Sequence, residues 1–162
     1  MASGRAHHGA TLLVGIGGAA TLLALGEPTG HVLAYAGGCF AGLVITPDLD
    51  VDNPVHSHYV IRRSGGCLIG SLWYGLWRPY ARLIRHRAPL SHWPLLGTAG
   101  RLLYMGLIAW LVGLLFGYRP WPLPAWFPWA VYGLALADIL HWWLDTIHLR
   151  PWIKRKLHKE HT

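Results

Sequence analysis

The stretch AWFPWAVYGLALADILHWWLDTIH, Ala125–His148, is an apolar run with a stripe of acids and histidines along its second half. From Ala125 to Leu144 it has the length of about 20 residues that a membrane-crossing helix needs. An acid near the centre of such a helix costs about 2.5–3.5 kcal/mol on insertion scales and marks a functional position by default. On a helix, the offsets of 3, 7 and 10 residues from Asp138 bring His141, Asp145 and His148 within an arc of about 80°. His141 and Asp145, one turn apart, can ligate one ion together. Asp138 and His148, about 15 Å apart along the axis, cannot share it, but can serve a second ion or orient ligands. The alternative is an amphipathic helix end with a snorkelled polar stripe.

Three more apolar segments precede this one: Ala10–Leu25, His31–Thr46 and Arg101–Tyr118. The first two are short and must borrow flanking residues to span; Gly66–Trp77 is too brief and suits a re-entrant or interfacial helix. The fold class expected is therefore all-α: a polytopic membrane helical bundle of about four transmembrane helices, forming a single domain over 1–162 with a basic tail at about 149–162. The composition agrees. The chain is 53% hydrophobic and 13% charged, with ten Trp and twenty Gly, where soluble domains carry about 25% charged residues. Gly38 and Gly42 have the small-xxx-small spacing that lets helices approach closely. The first apolar run follows only Arg5 and has no small-x-small cleavage site, so it reads as a retained helix.

The net charge of +7 does not form an open patch, and nucleic acid is not expected as a primary partner. Arg62, Arg63, Arg78, Arg82, Arg85 and Arg87 crowd the central segment, and Arg150, Lys154, Arg155, Lys156 and Lys159 follow the last helix. The other connections carry only Arg119. The positive-inside rule then puts both termini and the central loop on the cytoplasmic side of the membrane. Trp121, Trp126 and Trp129 would mark the outer interface, with Trp142, Trp143 and Trp152 near the inner one. The same topology collects His7, Asp48, Asp50, His86, His92, His141 and Asp145 at the cytoplasmic end, although none of them was used to derive it.

Of the chain's seven acids, five are Asp48, Asp50, Asp52, Asp138 and Asp145. Pro47 disfavours helix at Thr46, so the chain turns there and frees Asp48 and Asp50 to face one target. Two carboxylates held together repel, and a cation relieves that repulsion; ion pairing with the nearby arginines is the alternative. In Arg85-His86-Arg87-Ala-Pro-Leu-Ser91-His92, neutral imidazoles suit zinc and related metals. Arg85 and Arg87 can hold a phosphate or carboxylate bidentately, or contact anionic lipid. His56 and His58 read as loop solvation, and His8, His31, His158 and His161 have no pattern. Cys39 and Cys67 are buried thiols by their surroundings, without the spacing of a thiolate zinc site. No serine-nucleophile elbow or nucleotide-binding loop is present.

Ser3-Gly-Arg5-Ala-His7, Pro47-Asp48-Leu-Asp50 and Arg85–Thr98 resemble, in order, a bacterial family of metal-binding membrane proteins with a domain of unknown function. The chain is similar to inner-membrane metal-dependent hydrolases of the YdjM type, and more distantly to zinc-dependent phospholipases C. The resemblance implies metal-ligand roles for His7, Asp48, Asp50, His86, His92, His141 and Asp145. It does not carry a three-zinc site across, because this chain lacks the N-terminal Trp ligand and has one HxxxD pair where the phospholipases have two. One or two divalent ions, zinc or alternatively manganese, are expected. The function expected is a metal-dependent phosphoester hydrolase at the membrane surface, with Asp50 as bridging ligand or general base and Arg85 and Arg87 holding the substrate. The alternative is a non-catalytic subunit of a larger membrane complex with a structural metal or ion-pair site. Membrane lipid and other membrane protein subunits are the expected partners.

Overall fold

The structure, a computed structural model, describes residues 4–85, 88–117 and 122–160, with side chains for 6–85, 88, 91–117 and 122–146. The described residues form helices and turns and no strand. Helix α1 is Gly4–Ala24 and α2 is Thr29–Ala41. A 3-10 turn at Pro47–Asp50 leads to α3, His56–Leu83, and then to a short α4, Pro89–His92. Helices α5, Pro94–Leu115, and α6, Phe127–Glu160, complete the chain.

Helix α1 ends where Gly26 takes up the left-handed region at φ 81°. There the Glu27 amide donates to Leu22 O and the Gly26 amide to Leu23 O, both at 3.0 Å. This is the Schellman arrangement, which satisfies carbonyls the helix leaves open. Pro28 then starts α2 back toward the other end of the bundle. Helix α2 is shorter than the apolar run His31–Thr46, because Gly42–Ile45 turn away and Thr46 is extended (φ −93°, ψ 159°) ahead of Pro47. The small-residue spacing has the consequence expected of it: a Cβ on Gly38 would collide with the Ala130 carbonyl of α6, and one on Gly42 with the Ala137 side chain. Gly133 answers from α6, against the carbonyl of Tyr35, and the Cys39 thiol donates to Gly133 O at 3.3 Å. Val32, Tyr35, Cys39, Leu134 and Ala137 are buried along this seam.

Helix α3 is not one rod. At Gly66 the backbone adopts φ 78°, ψ −177°, a conformation essentially confined to glycine. The two arms fold back on each other there. The rings of His58 and Tyr74 are 5.3 Å apart, whereas in an unbroken helix they would be separated by about 24 Å. A Cβ on Gly70 would likewise meet Arg62. The run Gly66–Trp77 is thus most of the second arm, which continues to Leu83. Its Trp77 and Tyr80 enclose Leu49 of the 3-10 turn, with Tyr104 of α5 packed alongside. This pins the Asp48–Asp50 segment between the hairpin and the bundle.

Among the described residues, two helices are long and apolar enough to cross a membrane, at Ala6–Ala24 and Pro94–Leu115. The segments expected as second and fourth spans differ: α2 has 13 residues, about 20 Å, and α6 carries its polar stripe and basic tail. Large apolar side chains point outward along the molecule, with Leu13 75%, Leu103 74% and Leu115 83% exposed.

Candidate metal centre

Four separate segments bring donors to one end of the bundle. His7 comes from the second turn of α1, Asp48 and Asp50 from the 3-10 turn, His92 from the end of α4, and His141 and Asp145 from α6. His7 Nε2 lies 3.2 Å from Asp145 Oδ1. His141 Nε2 lies 3.6 Å from Asp145 Oδ2 and 3.7 Å from Asp48 Oδ2. The His7 and His141 rings stack with centroids 4.0 Å apart. On its other oxygen, Asp48 Oδ1 faces His92 Nε2 at 3.9 Å. The remaining nitrogen of that ring, Nδ1, faces Asp50 Oδ2 at 3.4 Å.

These separations suit an ion. Donors bound at about 2.0–2.2 Å in a tetrahedron stand about 3.3–3.6 Å from one another, and one donor atom each from His7, His141 and Asp145 lie within 4.8 Å. The Nε2 atom of His141 is buried without a hydrogen-bond partner among the described residues, although two carboxylates face it. An imidazole so placed needs either a proton or a cation. Imidazole with carboxylate is a donor set that suits zinc and neighbouring transition metals. Burial works against ionisation of Asp48, but the close approach of His141 and the charge of His92 outweigh it and hold the carboxyl below its ordinary range. A ligand carboxylate must be in that deprotonated form.

A second layer fixes the donors. Arg101 of α5 is fully enclosed and pairs with Asp138, to which Thr98 also donates. The same guanidinium donates through Nη1 to Ser91 O at 3.2 Å, next to His92. One ion pair therefore ties α5 to the turn of α6 before His141 and to the residue before His92. Asp138, which the sequence offered as a ligand for a second ion or an orienting group, takes the orienting place. Asp52 pairs with Arg78 at 3.5 Å and Arg82 at 3.3 Å, the arginine pairing considered for the acids in general.

Of the sequence-derived site residues, His7, Asp48, Asp50, His92, His141 and Asp145 come together. His86 and Arg87 lie outside the described residues, as does the His148 side chain. Arg85 is exposed beyond the end of α3 and does not line the cavity beside the donors. That cavity, of about 30 Å³, is bordered by His7, Asp48 and His141 together with His8, Thr11, His56 and Ser57. The histidines dismissed as patternless or loop-solvating therefore belong here. The rings of His8 and His56 meet edge to face at 4.6 Å, and His8 Nε2 is 3.2 Å from Leu43 O. Only the signal of adjacency, His8 beside His7, was available in the sequence to find them.

A helical bundle with a buried cluster of imidazoles and carboxylates at one end defines a metal-binding helical protein. Residues 2–119 match the model of the family described as uncharacterized metal-binding protein (DUF2227), and the chain belongs to that family. The matched segment holds His7, Asp48, Asp50, His86 and His92, while α6 brings His141 and Asp145 from beyond it. No curated protein and no solved structure is significantly similar to the chain.

Proposed function

We propose that this protein is a metal-dependent hydrolase of phosphoesters, working at the cytoplasmic face of a bacterial inner membrane. The observation that carries the reading is the Asp48 carboxylate, which presents one oxygen to His141 and the other to His92. A carboxylate so shared can serve two neighbouring ions. His7, His141, Asp145 and Asp48 would hold the first, and Asp48 and His92 the second. When bound, divalent zinc or manganese supplies Lewis-acid chemistry to a phosphoester and to water at neutral pH. Asp50, with its carboxylate fully enclosed against Nδ1 of His92, acts as the group that sets the tautomer and orientation of that ligand, in place of the general-base role the sequence offered it.

Membrane embedding is supported by the two apolar helices and by the many large apolar side chains that face outward. The orientation is supported by the basic residues flanking the donor end. In this reading α1 and α5 span, α2 and the apolar part of α6 pack between them, and the α3 hairpin lies at the inner interface.

The test is hydrolysis of bis(4-nitrophenyl) phosphate by detergent-purified protein. Turnover that stops on chelation and returns with zinc or manganese supports the proposal. A fully metal-loaded protein with no turnover on this or on phospholipid substrates would assign the ion to stability, as in an accessory subunit.

A further inference from the structure

The cavity that the metal donors border is lined as well by the start of α3 and by His8 and Thr11 of α1. Helix α3 begins at His56, and the first arm runs ten residues before the break at Gly66. The first amides of a helix have no intrahelical acceptor and carry the positive end of its dipole. The N-cap residue is Val55, which has no side-chain oxygen to serve them. Its own amide donates to His58 Nδ1 at 3.1 Å, and that imidazole is not among the residues bordering the cavity.

Ser57, the second residue of the helix, makes this more than a helix end. It is 2% exposed and borders the cavity, yet its hydroxyl has no hydrogen-bond partner among the described residues. A buried hydroxyl left unsatisfied costs about 1–3 kcal/mol, and such groups in native proteins call for an occupant. Thr11, 6% exposed, His8 and His56 complete the lining. The side chains of Thr11, His56 and Ser57 can donate a hydrogen bond, whereas the His8 Nε2–H is already given to Leu43 O. The acids at the cavity are accounted for elsewhere: Asp48 faces His92 and His141, and Asp138 is neutralised by Arg101. The space of about 30 Å³ takes roughly two water-sized atoms, which fits two oxygens of a tetrahedral anion with the remainder toward the opening.

We propose that Thr11, His56 and Ser57, with the N-terminus of α3, form an oxyanion subsite that holds a phosphate group beside the metal donors. The inference rests on the metal-site reading above and names what that site would act upon. It assigns the anion to hydroxyls, an imidazole and helix amides in place of Arg85, which is exposed and does not border the cavity.

The experiment uses the full chain in detergent, loaded with zinc and assayed for metal content, titrated calorimetrically with inorganic phosphate. A parallel arm measures binding to phosphatidylcholine vesicles with and without phosphatidic acid. Saturable binding in the first arm assigns a free phosphate; binding confined to phosphatidic acid vesicles assigns a lipid headgroup. Ser57→Ala should weaken that binding about tenfold or more, the value of one hydrogen bond to a charged group. His56→Gln, at an exposed position where folding is not at risk, should weaken it severalfold. Metal content should be unchanged in both variants. Metal-loaded protein that binds neither ligand, or variants that bind like the wild type, would overturn the subsite and leave the metal site standing. Loss of metal in Ser57→Ala would make Ser57 part of the metal site and also overturn it. A wild-type protein that takes up no metal removes both readings.

Discussion

The guanidinium of Arg101 is fully enclosed and rests on the carboxylate of Asp138, one helical turn before His141. Breaking such a pair by removing one partner strands the other charge and costs about 3–5 kcal/mol. Asp138→Ala and Arg101→Ala should each lower the thermal stability of the purified protein by that order. The double variant Arg101→Met/Asp138→Leu, which strands nothing, should lose much less than the sum. Additive losses would mean that the two groups are not coupled.

The α2–α6 crossing makes a second prediction. Any side chain at Gly38 must displace the Ala130 backbone, so Gly38→Val should destabilise by about 1–3 kcal/mol or more. Gly37→Val, one residue along, meets open space and should cost less than about 1 kcal/mol. Denaturation midpoints of the two variants, measured side by side, decide the matter; equal midpoints would remove the close crossing.

The α3 hairpin depends on one residue. Gly66→Ala forces a side chain into a glycine-only conformation and should cost about 1–3 kcal/mol. Gly75→Ala, in the helical second arm with open space around it, should instead stabilise by about 0.5–1 kcal/mol. Spin labels at Tyr59 and Ser71 report the fold-back directly. They should be close in the wild type and move apart in Gly66→Ala; a long distance in the wild type would mean a continuous helix.

These variants also mark where the sequence could and could not be read. The all-helical class, the turn at Pro47 and the close approach at Gly38 and Gly42 followed from local chemistry, because hydropathy, proline and glycine act through their own backbone. The donors gathered for a similar reason: few acids exist, and apart from Asp138 those not at the chain ends sit where apolar segments stop. Gly66 could not be read, since neither the Gly65-Gly66 pair nor the run after it reveals a positive φ. Arg101 opens an apolar segment, and nothing local sets its partner; only the packing of α5 on α6 turns it toward Asp138. His8 and His56 lie 48 positions apart, and nothing short of the α1–α3 placement brings their rings together.

Membrane embedding predicts resistance to extraction. Alkaline carbonate and high salt should leave the protein in the membrane pellet, and detergent should release it. Release by carbonate alone would contradict the apolar surface as a lipid-facing one.

The central claim is that His7, Asp48, His92, His141 and Asp145 hold metal, and elemental analysis of the purified protein beside an Asp48→Asn/Asp145→Asn variant tests it most directly. One or two equivalents of zinc or manganese in the wild type, lost in the variant while helical content is retained, is the result expected. A folded wild-type protein that stays empty after metal is offered back would contradict it and leave the cluster as a network of imidazole–carboxylate pairs.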